Sequence, residues 1–108
     1  MTDFAIVLTT VPVGADAQLL ARTLVNERLA ACVNVLGPMQ SVYRWKGIVE
    51  EAAERQVIIK TASARVAALQ RRIAELHPSD VPEFLVLGIE EGSEPYLAWL
   101  TSSLRLER

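Results

Sequence analysis

The stretch from Glu27 to Thr61 constrains the fold most, because it is too long for one strand and lacks the periodicity of a helix. Apolar and polar residues roughly alternate up to Trp45, and the alternation resumes from Ile48 after the pair Lys46-Gly47. This pattern predicts a long β-hairpin. Its arms exceed the usual strand of roughly five or six residues, so we expect part of the hairpin to project from the domain and to need a partner.

Length and composition favour a globular protein. A chain of 108 residues has the length of one domain and should bury roughly two-thirds of its unfolded surface. No apolar run approaches the roughly 18 residues of a membrane span, so no membrane association is expected. The segment Met1–Phe4 is acidic rather than basic, which argues against a secretory signal and favours a cytoplasmic location.

The charged residues and the cysteine content exclude several classes of function. The formal net charge is -2, and the arginines alternate with acids instead of forming a basic stripe, so nucleic-acid binding is disfavoured. Cys32 is the only cysteine in the sequence, which excludes an intrachain disulfide and any CxxC motif.

Five further elements flank the hairpin, each predicted from apolar periodicity and from cap or breaker residues. In chain order they are a strand over Phe4–Thr10, a helix from Ala15 to near Arg28, a helix capped by Ser63 and ended before Pro78, a strand over Glu83–Ile89 and a helix capped by Ser93. The second helix should bury Leu69, Ile73 and Leu76 along one stripe. The order βαββαβα is typical of an α+β ferredoxin-like sandwich, with four antiparallel strands and helices on one face.

The first and last strands are apolar on both faces. Phe4, Ile6 and Leu8 alternate with other apolar residues, and Leu85 and Leu87 do the same in the last strand. A small monomer rarely exposes an apolar patch of this size. We therefore expect self-association through the uncovered face of the sheet, helped by the hairpin.

Four separated segments resemble the CutA family of divalent-cation tolerance proteins. They are RLAACVNVLGPMQSVYRWKGIVEE (Arg28 to Glu51), VIIKT (Val57 to Thr61), HPSDVPEFLVL (His77 to Leu87) and PYLAWL (Pro95 to Leu100). The resemblance covers nearly the whole chain and implies a single CutA-like domain over residues 1–108. It also implies a cytoplasmic, non-enzymatic homotrimer, similar in architecture to PII signalling proteins, that binds copper or another divalent metal and needs no organic cofactor.

The sequence departs from the family at two places. The metal ligands of the member that gave the family its name are a cysteine and two adjacent histidines, and the matching positions here hold Thr9, Leu76 and His77. The family's HPY motif is HPS here, with Ser79 in place of the tyrosine. Only His77 therefore remains as a metal ligand implied by the resemblance.

His77 is also the main candidate from residue chemistry, since a neutral imidazole suits Cu(II) or Zn(II). Asp80 and Glu83, or symmetry-related copies of His77, would have to complete such a site. The alternative is a helix C-terminal residue that interacts with the last carbonyls.

Three other groups have both a functional and a structural interpretation. Cys32 suits Cu(I), but a lone cysteine among alanines and valine is more often a small buried apolar residue, and nothing in the sequence brings it to His77 for a nucleophilic pair. The cluster Glu50, Glu51 and Glu54 could bind hard cations or simply be solvated. Tyr43 and Trp45 share one side of a strand and could stack a ligand or pack on a neighbouring subunit.

Two functions remain as hypotheses. The first is a homotrimer that binds or buffers divalent metal. The second is a PII-like signalling or scaffold trimer that binds a metabolite or a protein partner at clefts between subunits. The loop from Thr10 to Gly14 contains no Arg or Lys, which disfavours a phosphate-binding enzyme on the same fold.

Overall fold

The computed structural model describes residues 2–106, so Met1, Glu107 and Arg108 of the expected domain lie outside the described residues. Its elements in chain order are β1 (Phe4–Pro12), α1 (Ala17–Asn26), β2 (Cys32–Trp45), β3 (Ile48–Ala62), α2 (Val66–Leu76), β4 (Leu85–Ile89) and α3 (Glu94–Ser103). The predicted order βαββαβα is confirmed. Within residues 2–106, none of the helices has the length and apolarity to cross a membrane.

The strands form one antiparallel sheet in the order β2-β3-β1-β4, which is the ferredoxin-like topology predicted from the sequence. Helices α1 and α2 cover one face because their apolar stripes pack on alternate residues of the two central strands. The main core on this face includes Val7, Leu24, Ile59, Leu69 and Ile73.

The other face of the sheet stays largely uncovered, and we call it the open face, defined by Ile6, Leu8, Ile58, Leu85 and Leu87. Register places Ile6 opposite Leu87, and Leu8 opposite both Leu85 and Ile58. Because opposite residues share a face, these apolar side chains form one surface. Leu85 and Leu87 are 55% and 49% exposed.

Helix α3 covers only one end of the open face. Leu100 and Leu104 are fully buried there against Ala62, with Phe4 packed beside them. The Ser93 cap is confirmed, since its hydroxyl oxygen accepts from the Tyr96 N–H at 3.3 Å.

The hairpin projects as predicted. Its strands have 14 and 15 residues, and β3 pairs with β1 only from Glu54 onward. Lys46 and Gly47 have φ values of 51° and 82°, the left-handed pair that a type I′ turn requires. The described chain measures 48 × 26 × 22 Å along its principal axes, consistent with an extended arm.

A bulge interrupts the hairpin between Leu36 and Met39. Gly37 lies in it at φ +113°, and a Cβ there would approach the Arg55 Cα to 3.1 Å. Glycine therefore allows both the backbone angle and the close approach.

Two predictions for α2 are wrong. Ser63 does not cap the helix, because its hydroxyl donates to the Thr2 carbonyl and a short 3-10 turn precedes Val66. Leu76 is not buried but 38% exposed, since it lies at the last residue of α2. The predicted boundaries also shift slightly: β1 extends to Pro12, and α1 ends at Asn26.

Candidate metal site

His77 follows the last residue of α2 and turns the chain into the loop of residues 77–84. Its backbone is extended at φ -82° and ψ 138°, because Pro78 disfavours a helical residue before it. The imidazole is half-buried. The helix end and the proline therefore hold the ring near the end of β1.

Both ring nitrogens of His77 have hydrogen-bond partners. The Ser79 N–H donates to Nδ1 at 3.0 Å, and Nε2 contacts the Thr10 carbonyl oxygen. A carbonyl can only accept, so Nε2 carries the proton and the ring is the neutral Nε2–H tautomer. His77 thus links the start of the loop to the end of β1.

The far end of the same loop is also attached to β1. The Gln56 side-chain amide donates to the Thr9 carbonyl at 2.8 Å and to Glu83 Oε2 at 3.2 Å. Strand β4 begins at Leu85, opposite Leu8, so it does not reach the end of β1. Side chains from the loop and from β3 hydrogen-bond the backbone carbonyls at that end of β1 instead. The loop is fixed at both ends and exposed between them.

A cleft of about 650 Å³ separates this loop from the projecting hairpin. We call it the acidic cleft, because its lining includes the carboxylates of Glu50, Glu54, Asp80 and Glu83. Tyr43 and Trp45 also line it. The structure thus brings the predicted aromatic pair and two of the three hairpin glutamates to the loop after His77.

The third hairpin glutamate, Glu51, lies apart from the acidic cleft. It pairs with Val42 across the hairpin, and its Oε1 accepts from the Gln40 amide at 3.4 Å. Since side chains alternate along a strand, Glu51 projects from the opposite side to Glu50. The cluster predicted from the sequence is therefore divided between two faces.

The ring of His77 fits a metal ligand in one respect. A metal-bound histidine usually donates its second ring N–H to a carbonyl or carboxylate, and Nε2–H of His77 has such an acceptor in Thr10. Nδ1 is then the only ring atom that could bind a metal, and its lone pair accepts the Ser79 N–H in this structure. Within residues 2–106, however, no three His, Cys, Asp or Glu side chains lie close enough to hold one ion, so the arrangement supplies part of a donor set.

The other two positions implied by the family pattern do not join His77. Thr9 is fully buried in the core, and its hydroxyl has no hydrogen-bond partner among the described residues. Leu76 is a surface residue without a donor atom. The buried, unpaired hydroxyl could not be predicted, since the sequence does not reveal which strand face Thr9 occupies.

Cys32 begins β2 and pairs with Lys60. Its thiol lies 3.9 Å from Asn34 Oδ1 and is half-buried. His77 has its own partners in Thr10 and Ser79. A Cys-His pair is therefore not formed in the part of the chain that the structure describes.

A second groove, missed by sequence reasoning, lies between α1 and β2. It has a volume of about 800 Å³, and its lining combines Arg22, Arg55 and the acidic Asp16 with alanine and valine side chains. These arginines come from different elements and from positions with no motif, so no sequence signal joins them. The groove could accept an anionic group beside an apolar one.

Helix α1 is joined to α2 by an exposed ion pair. Arg72 Nε and Nη2 each donate to Glu27 at 2.8 Å, and Nη1 donates to Glu75 at 3.2 Å. The hydrogen bonds from Arg72 lower the pKa of the Glu27 carboxyl below its ordinary value of 4.5. They also raise the pKa of Arg72.

Comparison with known proteins agrees with this fold. The family model of the CutA1 divalent ion tolerance protein matches residues 5–103. The divalent-cation tolerance protein CutA of Pectobacterium atrosepticum is 42% identical over 105 residues, covering 97% of this chain and 96% of the relative. The chloroplastic protein CutA of Arabidopsis thaliana is 41% identical over 100 residues, covering 93% of this chain and 55% of that protein.

A solved structure gives the same result in three dimensions. The crystal structure of CutA from Xylella fastidiosa superposes with a TM-score of 0.90 at 37% identity, covering 95% of this chain and 99% of that one. The chain therefore belongs to the CutA1 family of divalent ion tolerance proteins.

Proposed function

We propose that this protein is a homotrimer that binds divalent metal, with copper preferred, and that His77 supplies a nitrogen ligand. The observation that carries the proposal is the orientation of the imidazole, whose Nε2–H donates to Thr10 and whose Nδ1 faces an exposed loop. Membership of a divalent-cation tolerance family supports it. Imidazole is a preferred ligand of Cu(II).

The remaining ligands have two sources under this proposal. Asp80 and Glu83 lie in the loop after His77 and line the acidic cleft. Glu83 is held by Gln56, so a movement of the exposed part of the loop would bring only the Asp80 carboxylate toward the ring. Symmetry-related copies of His77 are the other source in a trimer. Either source explains why the described residues of a single chain supply only some of the ligands that a metal ion needs.

The open face supports the trimer. Leu85 and Leu87 of this face are about half exposed, and the projecting hairpin offers a second contact surface. The proposed role is binding rather than catalysis, and the proposed location is the cytoplasm. Fractionation of the native cells, with the protein detected by antibody, tests the location; recovery in a membrane or organelle fraction contradicts it.

Calorimetric titration of the metal-free protein with copper sulfate tests the metal site. We expect uptake at micromolar copper, a loss of at least about tenfold in affinity for His77→Ala, and a smaller loss for Asp80→Asn with Glu83→Gln. Glu51→Gln is the matched control, because this carboxylate lies outside the acidic cleft. Absence of uptake, or uptake unchanged by His77→Ala, would refute the metal proposal.

The groove between α1 and β2 favours a second candidate function, a PII-like signalling or scaffold trimer that binds an organic anion. Arg22 and Arg55 supply the charge, and the apolar wall supplies contact area. A thermal-shift screen of organic anions with and without copper separates the two functions. Stabilisation by an anion alone, lost in Arg22→Ala and Arg55→Ala, favours the second.

A further inference from the structure

The groove between α1 and β2 has an apolar floor that both elements build. Ala17, Ala21 and Val25 recur every four residues of α1, so they form one row of about 12 Å along the helix. Val33 and Val35 line the groove from β2, where alternate residues share a side. The volume of about 800 Å³ lies within the range of small-molecule sites, roughly 300–1,000 Å³. The floor is therefore long enough for an extended apolar ligand.

Arg55 supplies a cation beside this floor. It lies two residues before the core residue Val57 on β3, so both side chains project toward the helices. Its stem lies against β2 at Gly37, where a Cβ would come within 3.3 Å of the Arg55 Cγ. Arg55 is half-buried, and within residues 2–106 it makes no ion pair. A partly desolvated guanidinium without a carboxylate partner favours an anionic ligand.

The charged and aromatic content of the groove selects the kind of anion. Two arginines, Arg22 and Arg55, and one aspartate, Asp16, leave the lining with a net charge of +1, which one carboxylate balances and a polyphosphate exceeds. Asp16 also accepts the Leu19 N–H at 2.9 Å, so an anion already occupies the N-terminus of α1, where phosphate would bind. None of the described residues that line the groove is aromatic, so a base has no ring to stack on. These features disfavour a nucleotide.

We propose that the groove binds a straight-chain aliphatic carboxylate. Arg55 and Arg22 donate charge-assisted hydrogen bonds to the carboxylate, and the alkyl chain lies along the floor between α1 and β2, where burial of its methylene groups adds affinity. The site is that of the second candidate function, so the proposal rests on an organic anion binding there. It adds that the anion is a monocarboxylate with an alkyl chain.

Octanoate is the probe, because it combines one carboxylate with a straight alkyl chain. Calorimetry measures its affinity for the full chain, and NMR of valine and leucine methyl groups locates it. We expect shifted resonances of Val25, Val33 and Val35, with weaker binding of octanol, which lacks the charge, and of acetate, which lacks the chain. Arg55→Gln should lower the octanoate affinity at least about tenfold. Arg71→Gln should leave it unchanged, because Arg71 is exposed and lies outside the groove.

A variant that fills the groove tests the site without changing its charge. Ala21→Leu places a larger side chain in the middle of the floor, so we expect octanoate affinity to fall at least about tenfold, as when a buried alkyl chain loses two or more methylene contacts. Ala68→Leu is the matched control, because Ala68 is a half-buried alanine of α2 outside the groove. Circular dichroism shows whether both variants are folded. Octanoate binding that Ala21→Leu leaves unchanged overturns the proposal.

Failure of the proposal can be told from failure of the candidate function. Binding of ATP or citrate that is lost in Arg55→Gln, without binding of octanoate, overturns the proposal and leaves an organic-anion site in place. Octanoate shifts confined to Leu85 and Leu87 also overturn it, because the ligand would then occupy the open face. Equal affinity for octanol and octanoate overturns the role of the carboxylate. Absence of every tested anion from the groove overturns the proposal and the candidate function together.

Discussion

Thr9 and Thr61 are buried threonines on adjacent strands with opposite hydrogen-bonding states. Both are fully buried. The Thr61 hydroxyl donates to the Leu29 carbonyl at 2.7 Å, whereas the Thr9 hydroxyl has no partner among the described residues. An unpaired buried hydroxyl costs free energy that an apolar methyl group of similar shape does not.

We therefore expect Thr9→Val to raise the free energy of unfolding by about 1 kcal/mol. The measurement is denaturant unfolding at one fixed protein concentration, since self-association would make stability depend on concentration. Thr61→Val is the matched control and should lower the free energy of unfolding by a similar amount. A loss of stability in both variants would show that the Thr9 hydroxyl has a partner.

At the residue scale, the sequence identifies His77 as a candidate site residue but does not predict its hydrogen-bond partners. His77 stands out as the single histidine before a proline. Its acceptor, the Thr10 carbonyl, is 67 residues away in the chain, and the Ser79 N–H bond depends on the path of the loop. Such contacts depend on tertiary structure and leave no local pattern in the sequence.

The contact between α1 and α2 predicts a pH dependence of stability. Hydrogen bonding to Arg72 lowers the folded-state pKa of Glu27 below its ordinary value of 4.5, so the charged carboxylate favours the folded protein. This contribution is present above the unfolded-state pKa and is lost as the pH falls through the lower folded-state pKa. It is a small effect, because the pair is exposed.

Comparison of the native chain with Glu27→Gln across pH 3 to 7 tests this expectation. The native chain should be slightly more stable at neutral pH. The difference should shrink as the pH falls below about 4.5, because Glu27 is protonated first in the unfolded chain and only at lower pH in the folded protein. Glu75→Gln is the control, since Glu75 makes a single longer bond to Arg72 at 3.2 Å. A difference that grows on acidification would contradict the assignment.

Regular elements were predictable because their signals are local. Alternation predicts β2 and β3, and the Lys46-Gly47 pair predicts their turn. The bulge after Leu36 was not predictable, since it depends on the approach of Arg55 to Gly37. The Ser63 cap was predicted wrongly for a similar reason: the Ser63 hydroxyl bonds Thr2, which lies 61 residues earlier.

For the whole molecule, the open face predicts where subunits meet. Leu87 and Val86 are adjacent residues of β4 with similar exposure, 49% and 47%. Their side chains point to opposite faces, because Leu87 pairs with Ile6 and Val86 pairs with Val7. The two positions therefore allow a matched comparison of the two faces.

We expect Leu87→Glu to dissociate the proposed trimer, because it places a charge in an apolar interface, while Val86→Glu should retain it. Light scattering after size-exclusion chromatography measures the mass of each variant. A monomeric native chain would contradict the trimer, and dissociation by Val86→Glu alone would place the interface elsewhere. The apolar pattern on both faces of β1 predicted this surface from sequence, although the end covered by α3 became evident only in the structure.

The regular pairing of the two strands of the projecting hairpin also restricts the lengths that its arms can have. Deleting one residue from each arm beyond Glu54 would turn Tyr43 and Trp45 away from the acidic cleft, because side chains alternate. Deleting two from each arm would preserve their side. The arm can therefore be shortened or extended without exchanging its two surfaces only in increments of about 7 Å, so its geometry permits a discrete series of lengths.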